Sequence, residues 1–415
     1  CLILTMRKNQ KYFPLFAEDG RLLPEFLIVS NMRVADPRNI VAGNQRVVRP
    51  RLEDARFFLS QDAKLRLEAR VPQLANVVYH RKLGSELERT ERLQLLAGAV
   101  ARSLGADVAT AERAAWLCKA DLLTEMVGEF PELQGVMGRY YARRDGEPER
   151  VYDAIGSHYQ PRFAGDALPT EPAACAVALA DKMQTLAALF GIGEVPTGEK
   201  DPFGMRRAAL GVIRIIVENR LPLTLPELVN DAFAVFGGKV RDTRSELETF
   251  IFERMSGYLK EQGFSTLQVD AVLSQRPARI SLIPKQLEAV KAFQALPEAE
   301  SLVAANKRVA NILKQAAAKG ENFIKAERGA LREPAELALH DALREASRSA
   351  NELFESGNYT GYLKTFARLK TPVDEFFDKV MVMVEADSLR RNRLALLADL
   401  RDAMNRVADI SRLGA

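Results

Sequence analysis

The sequence is short of the residues that build redox and metal chemistry. Its 415 residues hold three cysteines, three histidines and one tryptophan. Cys1, Cys118 and Cys175 are too few and too scattered for a disulfide framework, and such isolated thiols suit a reducing cytoplasm, the expected location. There is no Cys-x-x-Cys, so no zinc site is expected. No run of about 18 apolar residues is present, so no transmembrane helix is expected. The apolar start, residues 1–6, meets Lys8, Asn9 and Lys11 at once and is too short for a signal peptide. Charge of one sign is scarce as well. Against 59 basic residues stand 55 acidic ones, and the net +4 permits nucleic-acid binding without requiring it. Internal repeats and low-complexity tracts are absent. The chain opens on Cys1 rather than Met, which reads as the C-terminal part of a longer protein.

What is present is helical pattern. Apolar residues make up 47% and charged residues 27%, and the length allows two to four domains. Residues 11–30 read as a β-hairpin: Tyr12 to Phe16 and Phe26 to Val29 are apolar arms, with Asp19-Gly20 as the turn. Asp36-Pro37 reads as a helix start, Gly43-Asn44 as its end, and Pro50 as the start of another helix. Three apolar stripes follow. Leu93, Leu95, Leu96, Val100 and Leu104 close at Gly105; Ala114, Leu117, Leu122 and Met126 stop near Pro131; Ala174 through Leu189 stops at Gly191. Residues 143–172 suggest loops around one short helix. Helix resumes at Arg206–Val217. Gln275 to Pro284 is the best boundary before a final helical domain, with breaks at Pro297, Gly320, Pro334, Gly357 and Pro372.

Few residues carry chemistry by themselves. Gly191-Ile192-Gly193-Glu194-Val195-Pro196 starts like a dinucleotide fingerprint but ends in Pro and follows a helix. Gly193 to Lys200 resembles a phosphate loop, yet Glu199 and Asp201 put negative charge where phosphate would sit. Residues 30–70 hold nine basic and five acidic residues, a local +4. Arg46, Arg49 and Arg51 crowd one stretch of it, which suits phosphate oxygens and equally a solvated surface or subunit interface. Further on, Leu302, Ala305, Val309, Ile312 and Leu313 mark a core face. Lys307, Asn311 and Lys314, with Arg308 beside them, lie opposite it as RNA-contact candidates, and Arg390, Arg391 and Arg393 form a second basic cluster. His158 and His340 have no ligand partners at useful spacing and read as structural.

The helical region 72–190 resembles an HD domain. Such domains hold metal through a His, an adjacent His-Asp pair and a later Asp. Asp121 in Lys119-Ala120-Asp121 matches the Asp of the pair, and Asp181 in Leu179-Ala180-Asp181-Lys182-Met183 matches the last Asp. Ala120 replaces the pair's His and has no donor atom, while His80 lies before the helix that should carry the first ligand. Two carboxylates can bind Mg²⁺ weakly. They can equally cap helices or pair with Lys119 and Lys182, and the lost ligands argue against the metal-activated water that a phosphohydrolase needs.

A wider likeness covers nearly the whole chain. Phe376-Phe377-Asp378-Lys379-Val380-Met381-Val382-Met383 reads locally as amphipathic helix; with Leu389 to Leu397 it resembles the C-terminal bundle of the β subunit of bacterial two-subunit glycyl-tRNA synthetase. Gln10-Lys11-Tyr12-Phe13-Pro14, Gly43 to Leu52, Gly135-Val136-Met137-Gly138, Tyr159 to Asp166, Lys200-Asp201-Pro202-Phe203, Arg206 to Gly211 and Val407 to Ser411 match the same family in order. The resemblance implies a mainly α, multidomain chain: residues 1–70 the end of an editing-like domain, 71–200 a degenerate HD-like domain, 201–284 a helical linker region and 285–415 a DALR-type anticodon-binding bundle. It implies tRNA(Gly) and a separate α subunit as partners, in an α2β2 heterotetramer. No cofactor is expected on this chain, with ATP and Mg²⁺ used in the α subunit. The sequence accords with that division, because it lacks the His-Ile-Gly-His, Lys-Met-Ser-Lys-Ser and class II signatures of a synthetase active site. The β subunit would contribute by positioning the tRNA. An HD-type metal-dependent phosphohydrolase is the alternative reading.

Overall fold

The computed structural model describes residues 3, 6–7, 11–322 and 325–414. Cys1, Lys8, Asn9 and Gln10 lie outside the described residues. The chain is mainly α. It forms two compact units: residues 1–194 with 231–242, and residues 195–230 with 243–415.

The first unit opens with the hairpin. Strands β1 (Phe13–Phe16) and β2 (Leu22–Leu27) pair antiparallel, Phe13 opposite Leu27 and Phe16 opposite Leu22. Gly20 supplies the positive φ of 79° that the turn demands. Tyr12 stacks on Phe26 at 4.9 Å between ring centres, and this small core also takes in Val48 and Leu52.

Those last two residues belong to α1 (Arg38–Asp62), one continuous helix where the sequence suggests two. Asp36 does accept from the Arg38 backbone N–H at its start, at 3.1 Å. Neither Gly43-Asn44 nor Pro50 breaks it. Asn44 donates to the Ile40 carbonyl at 2.7 Å and accepts from the Tyr12 hydroxyl at 2.5 Å, so the residue expected to end the helix ties it to the hairpin instead. At the far end of α1 the buried Asp62 carboxylate accepts from Glu125 N, Met126 N and the Tyr141 hydroxyl, at 2.9, 3.1 and 2.8 Å, with Arg70 at 3.5 Å.

Five longer helices form most of the rest of this unit among the described residues: α2 (Glu86–Leu104), α3 (Val108–Leu117), α4 (Val136–Arg144), α5 (Glu149–Ser157) and α6 (Pro172–Gly191). Helix α2 starts on a Ser85/Glu88 capping box and stops at Gly105 in the left-handed region. Its stripe is Leu93, Leu96 and Val100, whereas Leu95 points outward and is exposed. The second expected stripe is broken rather than one helix. Helix α3 ends at Leu117, and Ala120–Leu123 and Glu125–Glu129 are separate short turns. Helix α6 is long and apolar enough to cross a membrane, contrary to the reading from runs alone, but it is almost wholly buried among α2, α3 and α5. It is the central helix of the unit.

The second unit contains α7 (Met205–Glu218), and α8 (Leu225–Ala234) begins in it. There follow α9 (Arg244–Glu261), α10 (Thr266–Leu273), α11 (Ile283–Gln294), α12 (Ala299–Ala318), α13 (Pro334–Glu355), α14 (Tyr359–Phe366), α15 (Lys370–Lys379) and α16 (Asp387–Met404). Helix α12 packs on α15 and α16, and α13 on α14 and α15. Pro372 sits in the first turn of α15, where its missing N–H costs nothing, so it does not break the helix. The expected helix over 376–383 ends at Lys379, and Val380 is extended.

The Asp62 hub yields a first test. Tyr141→Phe removes one buried donor to a carboxylate and is expected to lower unfolding free energy by about 1.5–3 kcal/mol, read from urea denaturation. An unchanged midpoint would show that the hydroxyl does not hold α4 to the end of α1.

Candidate functional site

In the first unit, the two HD-like carboxylates are both buried and both accept from the chain's own donors, with the buried Asp121 Oδ1 left without a hydrogen-bond partner among the described residues. Asp121, on the turn Ala120–Leu123, accepts through Oδ2 from the backbone N–H groups of Gly135 and Gly138, at 2.6 and 2.8 Å. It thereby caps α4 from a distance, since Gly135 has no side chain with which to do so. Gly135 takes φ 80°, and a Cβ on Gly138 would stand 2.9 Å from Ile155 and 3.1 Å from Asp121. That explains two glycines in Gly135-Val136-Met137-Gly138. Burial, only partly opposed by the two N–H donors, raises the Asp121 pKa to about 6.

Asp181, in the middle of α6, meets two cations. Lys119 Nζ lies 2.8 Å and an Arg89 guanidinium nitrogen 3.0 Å from its Oδ1. Lys119 is completely buried; its ammonium also lies 3.0 Å from His158 Nε2 and 3.9 Å from the centre of the Tyr159 ring. Burial opposes the Lys119 charge, but Asp181 overrides it and keeps the ammonium protonated. Burial likewise opposes the Asp181 charge, and Lys119 and Arg89 hold its pKa well below the usual carboxylate range. Burial and then Lys119 depress the His158 pKa, so the imidazole is neutral. Its Nδ1–H donates to the Ile155 carbonyl at 2.6 Å, leaving Nε2 to accept from Lys119.

This arrangement does not fit a metal centre. Ala120 offers no donor, Asp181 is occupied by two fixed cations, and His80 sits on the short strand Val78–His80. Of the pairings the sequence left open, Lys119–Asp181 forms. Among the described residues Lys182 has no carboxylate at ion-pair distance; it donates to the carbonyls of His158 and Gln160, at 3.3 and 2.7 Å. Sequence reading missed Arg89 and the role of His158, since neither has a spacing that points to Asp181.

The basic candidates separate by what they touch. Arg46, Arg49 and Arg51 are exposed on α1, with Arg51 3.3 Å from Glu129. In the second unit, Lys307, Arg308, Asn311 and Lys314 are exposed on α12, and among the described residues none of the three cations has a carboxylate at ion-pair distance. Asn306 beside them is buried and exchanges amide hydrogen bonds with Asn405. Arg390 lies 2.7 Å from Glu321, and Arg391 lies 3.0 Å from Asp387. Arg393 must be removed from its proposed cluster. It is buried, paired with Glu336 of α13, and donates to the Met381 carbonyl at 2.6 Å. A side chain so enclosed cannot reach RNA.

A family model described as the glycyl-tRNA synthetase beta subunit matches residues 1–274. The chain belongs to this family. A second model, the DALR anticodon binding domain, matches residues 302–410, which include most of α12 and all of α15 and α16. The glycine–tRNA ligase beta subunit of Aromatoleum aromaticum is 59% identical over the whole chain, and that of Thiobacillus denitrificans is 57% identical. The chain spans 60% and 59% of those two relatives. The hydrogen bonds and ion pairs of Asp121 and Asp181 are contacts internal to the first unit.

Two outcomes follow for that centre. Lys119→Met leaves Asp181 buried with one cation fewer and is expected to cost about 3–5 kcal/mol of unfolding free energy. Asp121 binds its proton more tightly folded, with a pKa of about 6, than unfolded. Its contribution to stability is therefore present at low pH and lost as pH rises toward about 6. Asp121→Asn cannot ionise but keeps an acceptor for the two N–H groups. Relative to the parent, it should gain stability from about pH 4 to about pH 6 and level off above, in urea titrations at each pH. A constant difference across that range would refute the buried-acid account.

Proposed function

We propose that this chain is a tRNA-binding portion of a glycine–tRNA ligase β subunit, which recognises tRNA(Gly), including its anticodon, and positions it for glycylation on a separate α subunit. The observation that carries the reading is the coincidence of the anticodon-binding family match with unpaired cations on the exposed face of α12. Lys307 and Lys314 supply phosphate contacts, Asn311 can read the edge of an unstacked base, and Arg46 and Arg49 on α1 add a second phosphate-binding stretch. Arg390 and Arg391 already have carboxylate partners, which supports a lesser part for them. The α subunit would hold ATP and Mg²⁺, the assembly would be an α2β2 heterotetramer, and its place would be the cytoplasm. In this reading the β subunit pays the orientational cost of delivering the acceptor end to another chain's active site.

The test is direct. The chain is expected to bind tRNA(Gly) with an affinity that falls steeply with salt, and to make no glycyl-tRNA from ATP and glycine alone. Replacing Lys307 or Lys314 with Ala should weaken all tRNAs alike and reduce the salt slope by about 1 each. Asn311→Ala should instead narrow the gap between tRNA(Gly) and an anticodon-mutant tRNA. Glycylation by the isolated chain, or binding without salt dependence, would overturn the assignment. Nucleotide hydrolysis with a stoichiometric transition metal would favour the phosphohydrolase.

A further inference from the structure

Arg308 is held unlike the cations around it. Its guanidinium lies over the face of Phe377, 4.3 Å from the ring centre. Phe377 is half-buried on α15, edge-to-face against the fully buried Phe376 at 5.5 Å between ring centres, so the ring has firm backing. Arg308 itself is exposed on α12. The two helices are also tied to each other by the Ser301 hydroxyl, about two turns before Arg308, which donates to Asp374 at 2.8 Å.

A contrast shows what this leaves free. Arg406 lies even closer to an aromatic ring, 3.7 Å from Phe354, but its nitrogens are engaged by Asn351 and Glu355 at 2.9 Å each. Arg308 has no carboxylate partner among the described residues. Its guanidinium is therefore a flat cation with one face on Phe377 and no anion to neutralise it. Helix geometry puts Asn311 between Lys307 and Arg308 on the same exposed surface, since positions three and four apart are neighbours. A planar, aromatic-backed cation flanked by uncompensated lysines is complementary to one kind of partner: an unpaired nucleobase on a polyanionic strand.

We infer that Arg308 and Phe377 form a stacking platform for a single unpaired base of bound RNA, with Arg308 acting through its flat face rather than as a phosphate clamp. This rests on the tRNA-binding reading above. In that arrangement Lys307 and Lys314 neutralise the strand, and the base lies on Arg308 within reach of the Asn311 amide. Stacking tolerates every base, so Arg308 sets affinity while Asn311 sets preference.

The experiment uses the whole chain with fluorescent tRNA(Gly), titrated at several salt concentrations, and with the same tRNA carrying 2-aminopurine at each unpaired anticodon-loop position in turn. Arg308→Lys keeps the charge and loses the plane. Phe377→Leu keeps the apolar volume and loses the ring. Both are expected to weaken binding about tenfold without changing the salt slope, and to abolish the 2-aminopurine quenching that the parent produces at one position. Lys307→Ala should change the slope and leave the quenching in place. Thermal unfolding within a few degrees of the parent shows that each variant is folded, and Arg308→Lys, at an exposed position, decides the matter if Phe377→Leu is not. The platform is refuted if Arg308→Lys binds like the parent, if its loss comes with a slope reduced by about 1, or if no loop position is quenched. Those results leave the tRNA-binding reading standing. Salt-independent binding, or none, by the parent chain would bring down both.

Discussion

The Lys119–Asp181 contact is the constraint around which the first unit is arranged. Helix α6 is apolar on nearly every face, so α2, α3 and α5 can cover it on several sides, but Asp181 in its middle has to be matched. An unpaired carboxylate there would cost several kcal/mol. The match comes from two directions. Lys119 reaches in from the turn after α3, and Arg89 from the first turns of α2. Each cation can satisfy Asp181 only if its helix docks in one register on α6. A buried ion pair is weak evidence for stability, yet it penalises misdocked packings of an otherwise uniform apolar rod. His158 extends the same constraint to the end of α5 by accepting from Lys119.

The second unit uses the same device with other residues. Arg393 on α16 is buried against Glu336 on α13, and Glu336 also accepts from the backbone of Arg332 and Glu333 at the start of its own helix. Asn392 beside it exchanges hydrogen bonds with the Glu327 backbone, at 2.7 and 2.9 Å. Consecutive residues of α16 thus fix two separate strands of the chain. What looked like a run of surface arginines is a run in which each residue has a different fate. Arg390 is mostly covered and ion-paired, Arg391 is exposed and ion-paired, and Arg393 is interior.

How much could be read in advance follows from the range of each determinant. The hairpin was legible because Asp19-Gly20 and the flanking apolar arms lie within a few residues of one another, although its second strand runs over Leu22–Leu27 and not over the Phe26–Val29 arm read from the sequence. So were the Gly105 stop of α2 and the Gly191 stop of α6, whose signals sit at the helix ends. Helix α1 was misread because Asn44 is held by Tyr12, 32 residues away, and local propensity knows nothing of that bond. The burial of Arg393 depends on Glu336, 57 residues distant. The HD-like positions were found by likeness of motif. Their actual partners were only half visible, because Lys119 adjoins the motif whereas Arg89 is 92 residues from Asp181.

The net charge of +4 says little about what this chain can bind, because pairing decides which cations are available. Lys119, Arg89 and Arg393 are engaged by buried carboxylates, Arg390 by the mostly covered Glu321 and Arg406 by the exposed Glu355. Neutralising a phosphate with any of these would first break an existing pair, whose loss offsets the gain. Lys307, Arg308 and Lys314 have no such prior claim among the described residues, and they share one exposed helix face. Charge that is uncompensated locally attracts a polyanion even when the molecule as a whole is nearly neutral, because at physiological salt screening limits the field to about 8 Å. The relevant quantity is therefore the local excess on α12, and the same interior pairing that specifies how the helices dock determines which cationic side chains are left without a carboxylate partner.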